Sequence, residues 1–266
     1  MQHLFQSWES FSACIRAASH ILLLSDYDGT LTPIVNRPDE AILPPEVREK
    51  LLALTKNPIF SVGIISGRSL SEVKALVGIE GIYYAGNHGL EIEGPGLKFT
   101  NPAAKATQTE IKDLARQFLA KLGAIEGVIV EDKGLSLSIH YRLVKKSEEN
   151  TVAEIFHQIT SPLLREEKIR VTSGKKVWEV RPPIDWHKGK AVEAIMKEIK
   201  AFLKCEQLPT IYLGDDTTDE DAFRIIHRPE GWSIFVGEEN PSSKADYFLN
   251  STSEVRTFLS RLFDLK

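Results

Sequence analysis

Residues 21–30 read Ile-Leu-Leu-Leu-Ser-Asp-Tyr-Asp-Gly-Thr. Four consecutive apolar residues predict a strand buried on both faces, as the strands of parallel sheets are. Side chains alternate along a strand, so Asp26 and Asp28 can share one face while Tyr27 points away. Gly29-Thr30 then releases the chain into a loop. The two carboxylates are thereby placed at the carboxyl end of a strand, where open α/β sheets keep their ligands. Neighbouring acids repel unless a cation or a shared proton compensates, and Mg²⁺ suits a few protein carboxylates together with phosphate oxygens. Asp-Gly is also a common turn dipeptide, so the stretch by itself leaves a polar turn or helix cap open.

Working outward, residues 44–55 have helical spacing with proline at the first turn. Residues 59–65 are a second buried strand ending in Ser66-Gly67-Arg68, residues 69–77 a helix capped near Ser69, and residues 81–85 a third strand ending in Gly86-Asn87-His88-Gly89. This order predicts a parallel sheet with right-handed crossovers. Residues 1–18 read as a short amphipathic helix. After Glu93 the texture changes. Gly94-Pro95-Gly96 reads as a linker, followed by helices at 107–122 and 147–167. Between and after them lie a hairpin (128–131 with 135–142) and two short strands within 169–180. Pro182-Pro183 marks the return, with a helix at 187–204, strands at 210–213, 233–236 and 247–249, and helices at 219–226 and 253–265. The expected organisation is an α/β catalytic core of residues 1–92 and 182–266, with a Rossmann-like parallel sheet, and an inserted α+β domain of residues 93–181.

The 266 residues allow one large domain or two small ones, and 42% hydrophobic content suffices for a core. A formal net charge of −4 argues against nucleic-acid partners, which require a basic field. Cys14 and Cys205 are far apart with no metal-ligand spacing, which predicts free thiols in a reducing compartment. No run approaches the roughly 20 apolar residues of a membrane span, and the first ten residues are too polar for a signal peptide. A cytoplasmic, monomeric protein with no membrane partner is expected.

Four clusters fall at predicted strand ends or helix starts: Asp26-x-Asp28, Ser66-Gly67-Arg68, Lys188 in His187-Lys188-Gly189-Lys190, and Gly214-Asp215-Asp216-Thr217-Thr218-Asp219. A hydroxyl, a flexible backbone and a fork-shaped cation can hold a phosphate, and a helix start favours anions. Singly, each has an ordinary reading as a loop, a solvated lysine or an acidic turn. Their joint occurrence in this order points to phosphoryl chemistry.

With these motifs (DYDGT, SGR, HKGK and GDDTTDED), the chain resembles the haloacid dehalogenase superfamily, and the insert's position resembles a type-two cap. SDYDGTLTPI, GNHGLEI, EDKGLSLSIHYR, GKKVWEVRPP and GDDTTDEDAF are similar to signatures of its trehalose-6-phosphate phosphatase family and span most of the chain. The resemblance implies a haloacid dehalogenase fold and an Mg²⁺-dependent phosphatase of trehalose biosynthesis that passes through an aspartyl-phosphate. Asp26 would be the nucleophile, Asp28 the general acid and base, and Lys188 a further catalytic residue. Thr30, Ser66, Gly67 and Arg68 would bind phosphate. The metal would be held by Asp26, the backbone carbonyl of Asp28 and Asp215, with Asp216 and Asp219 behind them. Glu131, Lys133, Lys175 and Glu179 are the implied sugar ligands, with Arg142 and Arg181 as weaker candidates. Asn87, His88 and Glu91 could touch the sugar where core and cap join. His140 and His157 are assigned to packing or surface, and Trp178 and Trp186 to packing.

The cap is expected to hinge near Gly94–Gly96 and Pro182-Pro183 and to close over bound sugar. A separate synthase polypeptide is a possible partner. Alternatives are a related capped phosphatase acting on sucrose phosphate or mannosylphosphoglycerate, a non-catalytic sugar-phosphate sensor, and a phosphomutase sharing the aspartyl-phosphate step.

Overall fold

The computed structural model describes residues 1–265 apart from 227 and 229, so the final residue of the expected core segment lies outside the described residues. The chain begins with a two-residue strand, Gln2–His3 (β1), a 3-10 turn, Leu4–Ser7, and a helix, Trp8–Ala17 (α1). A single helix over residues 1–18 was expected. Instead Gln2 and His3 pair in parallel with Tyr247 and Phe248, which supplies backbone partners a fraying helix end would lack.

Ile21–Ser25 (β2) is buried at every position. Ile21 and Leu23 pack on one face with Leu51, Val73 and Phe258, while Leu22 and Leu24 pack on the other with Ala191, Ile195 and Phe223. Next come Pro45–Lys56 (α2), Phe60–Ile65 (β3), Leu70–Val77 (α3), Tyr83–Gly86 (β4), Glu91–Gly94 (β5) and Leu97–Thr100 (β6). The Ser69 hydroxyl caps α3 by accepting from the Glu72 backbone N–H at 3.3 Å.

A second compact unit, Thr100–Asp185, follows. It contains Pro102–Ala106 (α4), Gln108–Leu122 (α5), Ile129–Asp132 (β7), Leu137–His140 (β8), Glu149–Arg165 (α6), Arg170–Gly174 (β9) and Val177–Arg181 (β10). Its antiparallel sheet runs β7-β8-β10-β9. Ile139 and Val180 bury against Phe118 and Phe156, with Trp178 packed beside them. Register places Glu131, Ser138, Glu179 and Thr172 in one row across the other face.

The first unit resumes with Lys188–Leu203 (α7), Thr210–Gly214 (β11), Glu220–Phe223 (α8), Gly231–Val236 (β12), Tyr247–Leu249 (β13) and Thr252–Phe263 (α9). A 3-10 turn, Thr217–Asp219, precedes α8, so the helix expected from 219 to 226 is shorter. The large sheet has the order β1-β13-β12-β11-β2-β3-β4-β5-β6. Pairing is parallel from β1 to β4, and β5 runs antiparallel to β4. From β2 the chain steps outward to β3 and β4, and from β11 it steps the opposite way to β12 and β13. The switch point of this doubly wound sheet therefore lies between β2 and β11, where such sheets open a ligand crevice.

The linker expected at Gly94–Gly96 is instead the connection between β5 and β6, and the Tyr83 hydroxyl donates to the Pro95 carbonyl at 3.0 Å. These residues belong with the first unit, Met1–Phe99 and Trp186–Lys266, so the first domain boundary falls after 99 and not at 93. The second falls after 185, past the 181 expected. Trp186 stacks on Phe99 at 5.1 Å, and Trp178 on Tyr141 at 4.1 Å, both as packing. Among the described residues no helix is long and apolar enough to cross a membrane.

Candidate active site

Asp26 follows β2 directly, and its backbone N–H donates to the Leu213 carbonyl of β11 at 2.8 Å. Asp215 follows β11. Lys188 is the first residue of α7 and is 2% exposed. Its Nζ donates to Asp26 Oδ1 at 2.6 Å and to Asp219 Oδ1 at 2.7 Å. Asp219, fully buried, also accepts from the Tyr212 hydroxyl at 2.7 Å and from the backbone N–H groups of Asp215 and Asp216 at 3.1 Å. This is how a buried carboxylate is tolerated: each oxygen has donors.

Burial opposes the charge on Lys188, but the carboxylates of Asp219 and Asp26 outweigh it and hold the ammonium above its ordinary pKa. Burial pushes the Asp26 carboxyl well above the usual range; Lys188 resists, while Asp219, Asp215 and Asp28 add to the rise. One ammonium cannot neutralise Asp26, Asp215 and Asp219, whose ligand oxygens lie within 4.8 Å of one another. That charge deficit and all-oxygen donor set fit a hard divalent cation. Gly29 makes the cluster possible. Its φ is +85°, and a Cβ there would lie 2.2 Å from Asp215 Oδ2, so only glycine lets the Asp215 carboxylate approach the loop.

Arg68 turns to Asp28. Its guanidinium, 5% exposed, forks onto Asp28, with Nε to Oδ2 and Nη2 to Oδ1 both 2.8 Å. It also donates to the Pro38 carbonyl at 2.8 Å and to Glu72. It is thus committed to protein acceptors. Ser66 is fully buried and its Oγ accepts from the Arg68 N–H at 3.1 Å. The Thr30 hydroxyl is buried with no hydrogen-bond partner among the described residues. The Asn87 N–H donates to the Arg68 carbonyl at 2.7 Å and the His88 N–H to the Ser66 carbonyl at 2.9 Å, which zips the two loops together. Asn87 and His88 have φ of 51° and 56°, strained for non-glycine residues. His88 Nε2 lies where a Cβ on Gly67 would come within 2.7 Å. Asn87 Nδ2 donates to Glu91 Oε2 at 3.0 Å. Asp216 turns toward its own turn, accepting from the Thr217 N–H at 2.7 Å in a capping box with Asp219.

In the second unit the β7–β8 end of the sheet gathers charge. Lys133 Nζ lies 4.0 Å from Glu131 Oε2 and 3.5 Å from Glu179 Oε1. Glu179 accepts from Arg181 Nε at 2.7 Å and from the Ser136 hydroxyl at 3.3 Å. His140 Nε2 and Glu131 Oε2 are 2.7 Å apart. Arg142 and Lys175 do not join this group. They are exposed at the opposite end of the sheet, where Arg142 Nη2 donates to the Lys175 carbonyl at 2.8 Å.

The trehalose-phosphatase family profile matches residues 24–253. The chain belongs to the trehalose-phosphatase family. Members of this family are phosphoric monoester hydrolases. Among curated relatives, a probable trehalose-phosphate phosphatase D of Arabidopsis thaliana is 37% identical over 92% of this chain and 68% of its own length. Trehalose-phosphate phosphatase B of the same plant is 35% identical over 96% of this chain and 70% of its own. The C-terminal domain of a trehalose-6-phosphate phosphatase from C. albicans superposes with a TM-score of 0.79 at 26% identity, covering 97% of both chains.

Two residues outside the expected site, Tyr212 and His140, hold charged groups of it. Tyr212 was read only as strand core, yet a tyrosine on a buried strand needs a partner for its hydroxyl, and that partner is Asp219. Asp219 itself, assigned behind the metal ligands, stands among the three converging carboxylates. His140, assigned to packing or surface, joins Glu131. Alternation was the available signal: His140 lies two residues from Ser138, hence on the polar face of β8.

Proposed function

We propose that this chain hydrolyses trehalose 6-phosphate to trehalose and inorganic phosphate, a step of trehalose biosynthesis, through an aspartyl-phosphate on Asp26 and with Mg²⁺ as cofactor. The observation that carries this reading is Lys188, buried between Asp26 and Asp219 at the switch point beside Asp215.

In the first step an Asp26 carboxylate oxygen attacks phosphorus, the bond from phosphorus to the sugar oxygen breaks, and Asp28 gives that oxygen its proton. In the second, Asp28 takes a proton from water as the water oxygen attacks phosphorus. The aspartyl bond to phosphorus breaks, phosphate leaves and Asp26 returns as carboxylate. Lys188 orients Asp26 and presents positive charge to the phosphoryl oxygens. Thr30 offers a buried hydroxyl that has no partner among the described residues, and Ser66 and Gly67 complete the phosphate cradle. Asp26, Asp215 and the Asp28 backbone carbonyl would hold Mg²⁺, which neutralises phosphate charge when bound. Asp219 supports Lys188 and the backbone at 215, and Asp216 closes its turn.

The sugar is read by Glu131, Lys133, Glu179 and Arg181. A disaccharide carries no charge beyond its phosphate, so recognition needs paired donors and acceptors held against its hydroxyls. Asn87, His88 and Glu91 shape the loop beside Ser66.

The test is phosphate release from trehalose 6-phosphate, sucrose 6-phosphate and glucose 6-phosphate with Mg²⁺ or EDTA, alongside Asp26→Asn. Preference for the trehalose ester, lost with EDTA and with the substitution, is the expected result. Release from a different ester would retain the core chemistry and overturn the cap assignment.

A further inference from the structure

We infer that Arg68 is the positioning residue for Asp28 and not a ligand of the transferring phosphate; this rests on the acid–base role proposed for Asp28. Four of the five guanidinium N–H donors already meet protein acceptors: two on Asp28, one on Pro38, one on Glu72. The head also lies over the Tyr27 ring, 5.6 Å from its centroid. The backbone is fixed too, through Ser66 Oγ on its N–H and the Asn87 N–H on its carbonyl. Little is left to offer a phosphate.

Asp28 presents the complementary picture. A two-pronged contact fixes the plane of its carboxylate, yet the side chain stays 40% exposed, so the carboxylate is held in place and still open to solvent. The Asp-x-Asp pair therefore has one buried cation per carboxylate: Lys188 for the attacking group, Arg68 for the group that moves protons. A general acid works only within hydrogen-bond reach of its oxygen, and a swinging Asp28 would lose that geometry.

Leaving-group chemistry separates this role from phosphate binding and from simple scaffolding. p-Nitrophenolate leaves without a proton, whereas a sugar alkoxide needs one. Arg68→Ala should therefore give a pre-steady-state burst of p-nitrophenol at nearly the native rate, followed by slow turnover. Its kcat on trehalose 6-phosphate should fall by about 10²-fold or more, with KM changed less than about threefold. Arg68→Lys, a point charge that cannot fork, should lie between. In a double-mutant cycle, Arg68→Ala on top of Asp28→Asn should cost nothing further in kcat, because Arg68 acts through Asp28. Should the alanine variant not fold, the same cycle is run with Arg68→Lys.

A large KM rise with kcat preserved would make Arg68 a phosphate ligand. Loss of the p-nitrophenol burst in parallel with turnover, or additive losses in the cycle, would make it scaffolding. Either overturns the inference. If Asp28→Asn alone failed to show a burst followed by slow turnover, the underlying acid–base reading would fall, whatever Arg68 does.

Discussion

Lys188 Nζ lies 2.6 Å from Asp26 Oδ1, and the two residues are 162 positions apart in the chain. The contact lies at the crevice between the two halves of the sheet, since Asp26 leaves β2 and Lys188 opens α7. Lys188→Met should retain the volume and lose the charge. Breaking a buried pair by removing one partner leaves uncompensated carboxylates and costs about 3–5 kcal/mol. We expect a lowered urea midpoint, and phosphatase activity reduced by at least about 10²-fold, as for removal of a donor that stabilises developing charge. An unchanged midpoint would show that Asp26 and Asp219 are relieved by protonation alone.

Tyr212 supplies Asp219 with a buried hydroxyl donor at 2.7 Å, and Asp219 in turn holds Lys188. Tyr212→Phe keeps the ring packed against Phe223 and deletes one hydrogen bond to a charged group, a loss of about 1.5–3 kcal/mol. Activity should fall less than in Lys188→Met, because three other donors still hold Asp219. A thermal melt and kcat on trehalose 6-phosphate measure the two effects. Loss of activity equal to that of Lys188→Met would mean the hydroxyl does more than support Asp219.

Much of this is legible in the amino-acid sequence. The run Ile21–Leu24 announced a strand covered on both faces because its hydrophobicity does not alternate, and the acids after β2 and β11 marked the ligand end of the sheet. What sequence periodicity cannot supply is the destination of a long side chain. Arg68 follows a strand, as a phosphate-binding arginine would, yet its fork closes on Asp28. Glu72, one helical turn away, helps commit it. Gly94-Pro95-Gly96 carries the composition of a linker, but a turn between adjacent strands has the same composition. Family resemblance joins Lys175, and more weakly Arg142, to Glu179, whereas register puts both beyond the Val177 end of β10, away from the Glu131–Lys133 turn.

Lys133 stands between Glu131 and Glu179 in a sheet face that the apolar core does not use. If that face reads the sugar, Lys133→Met should raise KM for trehalose 6-phosphate about tenfold or more, the scale of one lost charge-assisted hydrogen bond. It should leave kcat/KM for p-nitrophenyl phosphate unchanged, since that ester has no sugar to recognise. Equal losses on both substrates would remove Lys133 from sugar recognition.

Glu254 links α9 to the chain start: it accepts from the Asn250 backbone N–H at 2.8 Å and meets His3 Nε2 at 2.9 Å. Burial raises its pKa, but the Asn250 and His3 hydrogen bonds outweigh this and leave it below the ordinary value. For a carboxyl lowered on folding, the stabilising contribution is present above the unfolded pKa, roughly 4.3, and disappears as pH falls through the lower folded value. Urea midpoints from pH 7 down to pH 3 should decline more steeply in the native protein than in Glu254→Gln. The variant should start lower at pH 7. Parallel curves would remove Glu254 from the acid sensitivity.

Gly29 offers the sharpest test of the metal assignment, because it touches no substrate group by side chain. Alanine there must adopt a φ of +85° and place its Cβ 2.2 Å from Asp215 Oδ2. A contact that short forces the Asp215 carboxylate away, while the apolar core on both sheet faces is untouched. Gly29→Ala should therefore unfold cooperatively with a lowered midpoint, the left-handed strain alone costing about 1–2 kcal/mol. Its Mg²⁺ concentration for half-maximal activity should rise about tenfold or more, and the increase in melting temperature that Mg²⁺ is expected to give the native protein should shrink. Asp215→Asn should abolish that increase. A Gly29→Ala variant with native Mg²⁺ dependence would mean that Asp215 is free to move without consequence, and would take it out of the metal site.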